Sequence, residues 1–230
     1  MLQLSHINFE VLKEKIVEDF NLQLNKGEVK TLFGKSGCGK TTILRLVCAL
    51  EKANKGKILN QFKKTAILFQ ENRLLDNLDA MQNIAIFMPK PDPQKIIQIA
   101  QKVGITKSDL NKYPTQLSGG MVKRIAFIRL MLSDADLMLL DEPFTGLDKD
   151  LRNILVAMLT EKIEKEDLAC LMVTHDRFEA CRLSHEILLL SEKGMHINKI
   201  IQLDKPLCQR NEAYEEQIVQ EQFKGIKYYG

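Results

Sequence analysis

A glycine-rich stretch contains the first residues in this sequence that predict chemistry. Residues 34–42 read GKSGCGKTT, and Gly34, Gly39, Lys40 and Thr41 have the spacing of a phosphate-binding loop. In such a loop backbone N–H groups surround the β-phosphate, the lysine reaches the β- and γ-phosphates, and the hydroxyl binds Mg²⁺. A flexible glycine turn is the alternative, but the apolar runs on both sides favour nucleotide binding. The residues predicted to contact the nucleotide are Gly34, Lys35, Ser36, Gly37, Cys38, Gly39, Lys40, Thr41 and Thr42.

Two adjacent carboxylates follow the apolar run LMLL at residues 137–140. Asp141 stands where an Mg²⁺ shell needs a carboxylate, and Glu142 is placed to orient or deprotonate an attacking water. Apolar strands often end in acidic residues for other reasons, so the pair alone is a weak signal. Its position downstream of a matching phosphate-binding loop favours metal binding and hydrolysis.

A second glycine pair occurs in LSGGM at residues 117–121, just before another apolar run. Ser118, Gly119 and Gly120 have the composition of a loop that leads into a helix N-terminus, where partial positive charge attracts anions. A surface turn is the alternative interpretation. If both glycine stretches bind phosphate, one small chain carries two phosphate sites.

Four short apolar runs are predicted to form the strands that position these residues. VKTLF, TAILF, DLMLL and LACLMV are apolar on both faces, which is typical of central strands in a parallel sheet covered by helices. The predicted fold class is therefore α/β. A helix is predicted directly after the phosphate-binding loop, with an apolar stripe of Ile43, Leu44, Leu46, Val47 and Leu50.

Residues 71–133 have mainly helical signals, including DPQKIIQIAQKVG, which Gly104 is expected to end. We predict one domain over residues 1–230, with a core lobe at 1–70 and 134–230 and a helical subdomain at 71–133. RFEACRL is predicted to be a short helix, and EILLLSEKGMHINKII a hairpin that turns near Lys193 and Gly194. The charged tail from residue 211 is predicted to be helical.

The overall composition excludes several classes of protein. Of 230 residues 27% are charged and the net charge is only +3, so no nucleic-acid partner is expected. No apolar run approaches the roughly 20 residues of a membrane-spanning helix, and the first residues lack the features of a signal peptide. Five widely spaced cysteines are expected to be reduced thiols.

Six motifs in order resemble those of the nucleotide-binding subunits of ABC transporters. They are GKSGCGKTT, Gln70 in AILFQ, LSGGM, LMLLDEP, Asp148 in TGLD and His175 in VTHD, and they cover nearly the whole chain. The resemblance implies an ABC ATPase core with a parallel sheet, an N-terminal antiparallel β region and an inserted helical subdomain. It implies ATP and Mg²⁺ as cofactors. It also implies a head-to-tail homodimer, in which Ser118, Gly119 and Gly120 of one subunit cover the nucleotide of the other.

The same resemblance assigns roles to residues that are weak signals alone. It implies that Gln70 contacts Mg²⁺ or the attacking water, so that the metal set is Thr41, Gln70 and Asp141. It implies that His175 holds the γ-phosphate, although a histidine after an apolar strand is more often structural. Asp148 is implied to communicate across the dimer, and it is also a candidate N-cap of a helix.

Other positions depart from the family pattern or narrow it to a branch. Val11 or Leu12 stands where an aromatic residue stacks on adenine in the family, with Phe9 nearby, and Lys35 replaces a common proline. Met121 and the stretch FQENRLL resemble the importers of nitrate, sulfonates and taurine, a branch that includes uptake systems for thiamine precursors.

This branch implies transmembrane permease subunits as partners, a solute-binding protein as an indirect partner, and a location on the cytoplasmic face of the cell membrane. Leu74, Leu75 and Leu78 are candidate permease contacts, or ordinary core. An exporter, lipoprotein-release or cell-division cassette is the alternative function.

Overall fold

The computed structural model describes residues 1–71, 73–192 and 194–224 of the chain. Its central sheet has six strands in the order β5-β6-β7-β3-β8-β9, and all neighbouring pairs are parallel except β8 and β9. These strands are β3 (Val29–Phe33), β5 (Thr65–Leu68), β6 (Leu137–Asp141), β7 (Ala169–Thr174), β8 (Glu186–Leu190) and β9 (Ile197–Gln202). The predicted α/β class with a parallel sheet is confirmed.

The strands β6 and β7 show why the apolar runs form a sheet buried on both sides. Every residue of both strands is buried. Met138 and Met172 face one core with the helices, whereas Leu139 and Leu171 face a second core with the N-terminal strands. Because successive side chains of a strand point to opposite faces, a continuous apolar run satisfies both cores.

An antiparallel sheet of three strands covers one side of the central sheet, as the resemblance implied. Its strands are β1 (Leu2–Val11), β2 (Glu14–Leu24) and β4 (Lys55–Asn60), in the order β2-β1-β4. Apolar residues of β1 and β2, such as Leu4, Ile7 and Phe20, pack in the same core as β6 and β7.

The helices in the described part of the chain are α1 (Lys40–Val47), α2 (Ala80–Ala85), α3 (Pro93–Lys102), α4 (Gly119–Leu132), α5 (Lys149–Glu166), α6 (Arg177–Leu183) and α7 (Glu212–Gln222). The predicted stripe on α1 is wrong at Leu50, which is 52% exposed and lies beyond the end of the helix. Cys48 caps α1, and Ala49 has a left-handed φ of 55°, so the chain leaves the helical path there. The helix predicted before Gly104 is confirmed, and Gly104 has a φ of 72°.

Helices α2, α3 and α4 occupy the range predicted for the helical subdomain, and their core is continuous with α5 and one face of the sheet. The boundaries at residues 71 and 133 remain a prediction. The antiparallel pairing of β8 with β9 confirms the predicted hairpin, although Lys193 lies outside the described residues. The short helix at RFEACRL is confirmed as α6, and α7 confirms a helical tail as far as residue 222.

Candidate nucleotide-binding site

The phosphate-binding loop joins β3 to α1 at the carboxyl edge of the central sheet. Lys40 is only 5% exposed, and its Nζ donates hydrogen bonds to the carbonyl oxygens of Gly34 at 2.6 Å and Lys35 at 2.8 Å. Gly37 and Gly39 have left-handed φ values of 83° and 107°. The loop therefore curls around the ammonium group, and glycine supplies the backbone conformations that this path requires.

The start of α1 leaves its first backbone N–H groups without a side-chain cap. In the described part of the chain, α1 follows Gly39 without a side-chain cap, whereas a carboxylate, hydroxyl or amide oxygen caps each of α2 to α7. The first N–H groups of a helix lack partners within the helix. At α1 they remain available for a phosphate group, which supports the predicted role of the loop.

Two of the predicted metal ligands lie together. The Thr41 hydroxyl donates a hydrogen bond of 3.1 Å to the carboxylate of Asp141, which is 2% exposed. Burial raises the pKa of Asp141, and the hydrogen bond from Thr41 opposes that change. A hydroxyl and a carboxylate are oxygen donors of the kind that Mg²⁺ prefers. Gln70 is exposed two residues after β5, at the same sheet edge, because β5 pairs in parallel with β6.

The predicted catalytic residues Glu142 and His175 are in direct contact. Nδ1 of His175 lies 2.8 Å from the carboxylate of Glu142, which also accepts a hydrogen bond of 3.2 Å from the Thr145 hydroxyl. Glu142 is 8% exposed and has a left-handed φ of 49°, while the His175 side chain is 43% exposed. A fixed carboxylate beside a half-exposed imidazole can orient a water next to a bound γ-phosphate.

The second glycine motif lies at the exposed start of a different helix. Ser118, Gly119 and Gly120 are exposed at the start of α4. The hydrogen bonds of Ser118 stay within its own helix, where its hydroxyl accepts from the backbone N–H of Met121 at 3.3 Å. A Cβ atom added to either glycine would meet nothing within 4 Å. This open surface leaves room for a group from another molecule.

Asp148 has the structural role that the sequence left open. Its carboxylate caps α5 by accepting a hydrogen bond of 2.9 Å from the backbone N–H of Leu151. The N-cap interpretation is therefore confirmed, while a role in communication across a dimer stays a prediction. Arg124, which follows the second glycine motif, donates to the carbonyl of Val103 at 3.3 Å and ties α4 to the end of α3.

The hairpin between β1 and β2 carries the candidate adenine contacts. Val11 is 47% exposed and Leu12 is 98% exposed at the hairpin tip. Phe9 instead is half-buried and packs against the core that β1 shares with the central sheet. The exposed aliphatic residues are thus more accessible to a ligand than Phe9.

Sequence reasoning missed a residue that supports the site and one that supports the segment 75–79. The Thr145 hydroxyl contacts Glu142, and the Thr145 carbonyl accepts a hydrogen bond from Nζ of Lys123 on α4. Asn83, fully buried at the end of a polar stretch, accepts from the backbone of Leu75 and donates to three carbonyl groups of residues 75–79. The position of Thr145, three residues after Glu142, was a local signal for its contact with that residue. No local pattern pointed to the role of Asn83.

Together the fold and the site define a P-loop ATPase: a phosphate-binding loop, an oxygen pair suited to Mg²⁺ and a Glu–His pair at one edge of a parallel sheet. A profile of the ABC transporter family matches residues 17–145, more than half of the chain. The chain belongs to the ABC transporter family, and the predicted ATPase class is confirmed.

Two relatives illustrate the similarity in sequence. The aliphatic sulfonates import ATP-binding protein SsuB of Bacillus cereus is 35% identical over 213 residues, which cover 88% of this chain and 85% of that protein. The protein of the same name from Bacillus subtilis is 35% identical over 199 residues, which cover 82% and 78%. The predicted resemblance to an importer branch of the family is confirmed.

Solved structures agree on the fold. A dimeric ATP-binding cassette in a post-hydrolysis state, bound to ADP and Pi, has a TM-score of 0.77 at 22% identity and covers 89% of this chain and 100% of that one. The ATP-binding subunit of an ABC transporter has a TM-score of 0.78 at 18% identity, over 96% and 100%. Within the described residues, no helix combines the length and apolar character needed to cross a membrane.

Proposed function

We propose that this chain powers a membrane importer as a homodimer that closes head to tail around ATP. The observation that carries this proposal is the exposed start of α4, which is a different helix start from the one that follows residues 34–42. The loop at residues 34–42 lies at the sheet edge, whereas Ser118 begins α4 on an open surface and is bonded only within its own helix. A second copy, rotated to face the first, brings the signature motif of each copy, LSGGM at residues 117–121, to the nucleotide of the other copy.

Each residue of one site then has its own role in ATP binding or hydrolysis. The loop N–H groups and Lys40 bind the β- and γ-phosphates, and Thr41, Asp141 and Gln70 would hold Mg²⁺, which neutralises phosphate charge when it is bound. Glu142 orients and deprotonates the attacking water. His175 holds the γ-phosphate. Ser118, Gly119 and Gly120 of the opposite copy cover that phosphate through the N-terminus of α4.

The solute is proposed to be a small organic anion of the sulfonate type. The named relatives are described as importers of aliphatic sulfonates, which favours import over an exporter, lipoprotein-release or cell-division complex. Nitrate, taurine and thiamine-precursor pyrimidines are the other solutes of the branch that the sequence resembles. Permease subunits and a solute-binding protein select the solute, and the chain works on the cytoplasmic face of the membrane.

The permease contact is proposed to lie beside residues 74–78 of the helical lobe. Leu74 packs against the core of that lobe, Leu78 is half-buried, and Leu75 is 46% exposed. The four hydrogen bonds of Asn83 hold this segment in place. An exposed leucine on a fixed backbone is available to a hydrophobic partner helix, so Leu75 is the strongest candidate of the three.

The shared site is tested by Ser118→Arg, which places a large cation at the start of α4. We expect ATP affinity within about 3-fold of wild type, because the P-loop is untouched, and steady-state hydrolysis reduced at least about 100-fold. Ser108→Arg is the matched control, since Ser108 is also exposed in the helical lobe, and it is expected to hydrolyse normally. Normal hydrolysis by Ser118→Arg would rule out the shared site.

The solute is tested by uptake in a bacterium that encodes the chain. Deleting its gene is expected to abolish uptake of a radiolabelled alkanesulfonate while leaving nitrate uptake unchanged. The wild-type chain should restore uptake and the Glu142→Gln chain should not. Loss of nitrate uptake alone would instead assign the transporter to nitrate.

A further inference from the structure

Arg152 connects the two loops that flank the catalytic pair. It lies on the first turn of α5, where its backbone N–H donates to the carbonyl of the N-cap residue Asp148 at 3.0 Å. Its guanidinium reaches α6, with Nη1 3.2 Å from the Asp176 carboxylate and Nε 3.8 Å from that of Glu179. The side chain of Arg152 thus joins the first turn of α5 to the segment that follows His175.

The groups that Arg152 contacts fix both neighbours of His175. Asp176 caps α6 by accepting from the backbone N–H groups of Phe178 at 2.8 Å and Glu179 at 3.1 Å. The Thr174 hydroxyl donates to Glu179 at 2.8 Å and accepts from the backbone N–H of Asp176 at 3.0 Å. The residues before and after His175 therefore belong to one network that includes the guanidinium.

The buried position of Glu179 makes this network sensitive to the loss of Arg152. Glu179 is 4% exposed, and burial together with the nearby Asp176 raises its pKa to about 7. Removing the guanidinium takes away the ion pair with Asp176 and the contact of 3.8 Å with Glu179, so the network loses its side-chain link to α5. His175, whose imidazole meets Glu142 at 2.8 Å, is carried by that segment.

We propose that Arg152 is a positioning residue, which holds the segment 174–176 so that His175 meets Glu142 and the γ-phosphate. This inference rests on the catalytic role that the proposed function gives to His175. Because Arg152 sits one turn after Asp148, it also ties the geometry of the His175 segment to the loop before α5. Its expected effect is on the rate of hydrolysis and not on the affinity for ATP.

The first test replaces Arg152 with Met and with Gln, so that two variants are available if one folds poorly. We expect kcat to fall at least 10-fold while the equilibrium Kd for ATP changes less than 3-fold. Arg152→Lys should recover part of kcat because it restores a charge near Asp176. The control is Lys149→Met, on the same turn of α5, whose exposed ion pair with Glu212 is expected not to affect kcat.

A double variant separates positioning from general destabilisation. If Arg152 acts through His175, adding Arg152→Met to His175→Ala should lower single-turnover hydrolysis less than about 2-fold further. Losses that multiply in the double variant would overturn the inference, as would a wild-type kcat in both single Arg152 variants. Unchanged hydrolysis by His175→Ala would instead overturn the catalytic assignment on which the inference rests.

Discussion

The backbone of Glu142 adopts a conformation that few residues other than glycine occupy. Its φ of 49° accompanies a hydrogen bond of 2.9 Å from its N–H to the carbonyl of Val173 on the neighbouring strand. Such a conformation costs about 1–2 kcal/mol and persists only where the surroundings enforce it. Here it directs the carboxylate to Thr145 and His175 instead of along the strand. Strain at this residue accompanies its placement for catalysis.

Lys40 and Lys35 allow a direct comparison of two lysines in the same loop. Lys40 is buried with its ammonium between loop carbonyls, whereas Lys35 is exposed. We expect Lys40→Ala to weaken ATP binding at least about 100-fold, because a desolvated charge contacts the phosphates most strongly. Lys35→Ala should weaken binding less than about 10-fold. Isothermal titration calorimetry measures both, and equal losses would contradict the assignment of Lys40.

At the scale of residues, the sequence pointed to the candidate ligands but not to the residues that support them. Lys40, Asp141 and His175 were identified because each follows a recognisable strand and motif. Arg152 and Glu179 were not, since they contact each other only after α5 and α6 pack together. They are 27 residues apart and form no local sequence pattern, so their contact is seen only in the folded structure.

At the scale of elements, the start of α1 requires a glycine at position 39. Its φ is 107°, and an added Cβ would lie 3.1 Å from the backbone oxygen of Ile16. We expect Gly39→Ala to lower the free energy of unfolding by about 2–4 kcal/mol through strain and crowding.

Gly37→Ala is the matched control for that prediction. Its φ of 83° carries the same conformational cost, but nothing lies within 4 Å of an added Cβ. It should therefore cost only about 1–2 kcal/mol. Urea unfolding of both variants measures the difference, and an equal or larger loss in Gly37→Ala would contradict the predicted contact with Ile16.

Glu179 on α6 predicts how stability changes with pH. Burial raises its pKa from the ordinary 4.5 to about 7, so the folded protein keeps a proton that the unfolded chain releases between these values. The free energy of unfolding therefore falls as pH rises through this window, by up to about 3 kcal/mol. Glu179→Gln has no such proton to lose.

Urea unfolding at pH 5 and pH 8 tests this prediction. The stability of Glu179→Gln relative to wild type should rise with pH over that interval. For the control Glu161→Gln, on the exposed face of α5, the difference from wild type should stay nearly level. If the stability of Glu179→Gln relative to wild type stays level or falls with pH, the carboxyl group of Glu179 is charged in the folded wild-type protein throughout this range.

Element boundaries show what local patterns miss. The apolar stripe predicted α1 correctly up to Val47, but Leu50 continued the pattern past the point where Ala49 turns left-handed. Such an end depends on how the chain must return to β4, and periodicity does not encode that. The strands were easier because burial on both faces leaves continuous apolar runs.

At the scale of the whole molecule, one chain carries the two phosphate-binding motifs that we propose meet across a dimer. The P-loop and the Glu142–His175 pair lie at the sheet edge, and the signature residues lie at the start of α4. Nζ of Lys123 on α4 bonds the carbonyl of Thr145, so the signature helix is linked to the loop after Glu142. The six motifs in order predicted the family, which is confirmed, whereas the shared site stays a prediction.

The most direct test of the shared site is the solution mass of Glu142→Gln with and without ATP, measured by light scattering. Without ATP we expect the 26.3 kDa monomer, and with ATP a species of twice that mass. Adding Ser118→Arg should keep the protein monomeric although ATP still binds. If Glu142→Gln binds ATP and remains a monomer, the claim that two copies share their nucleotides is contradicted.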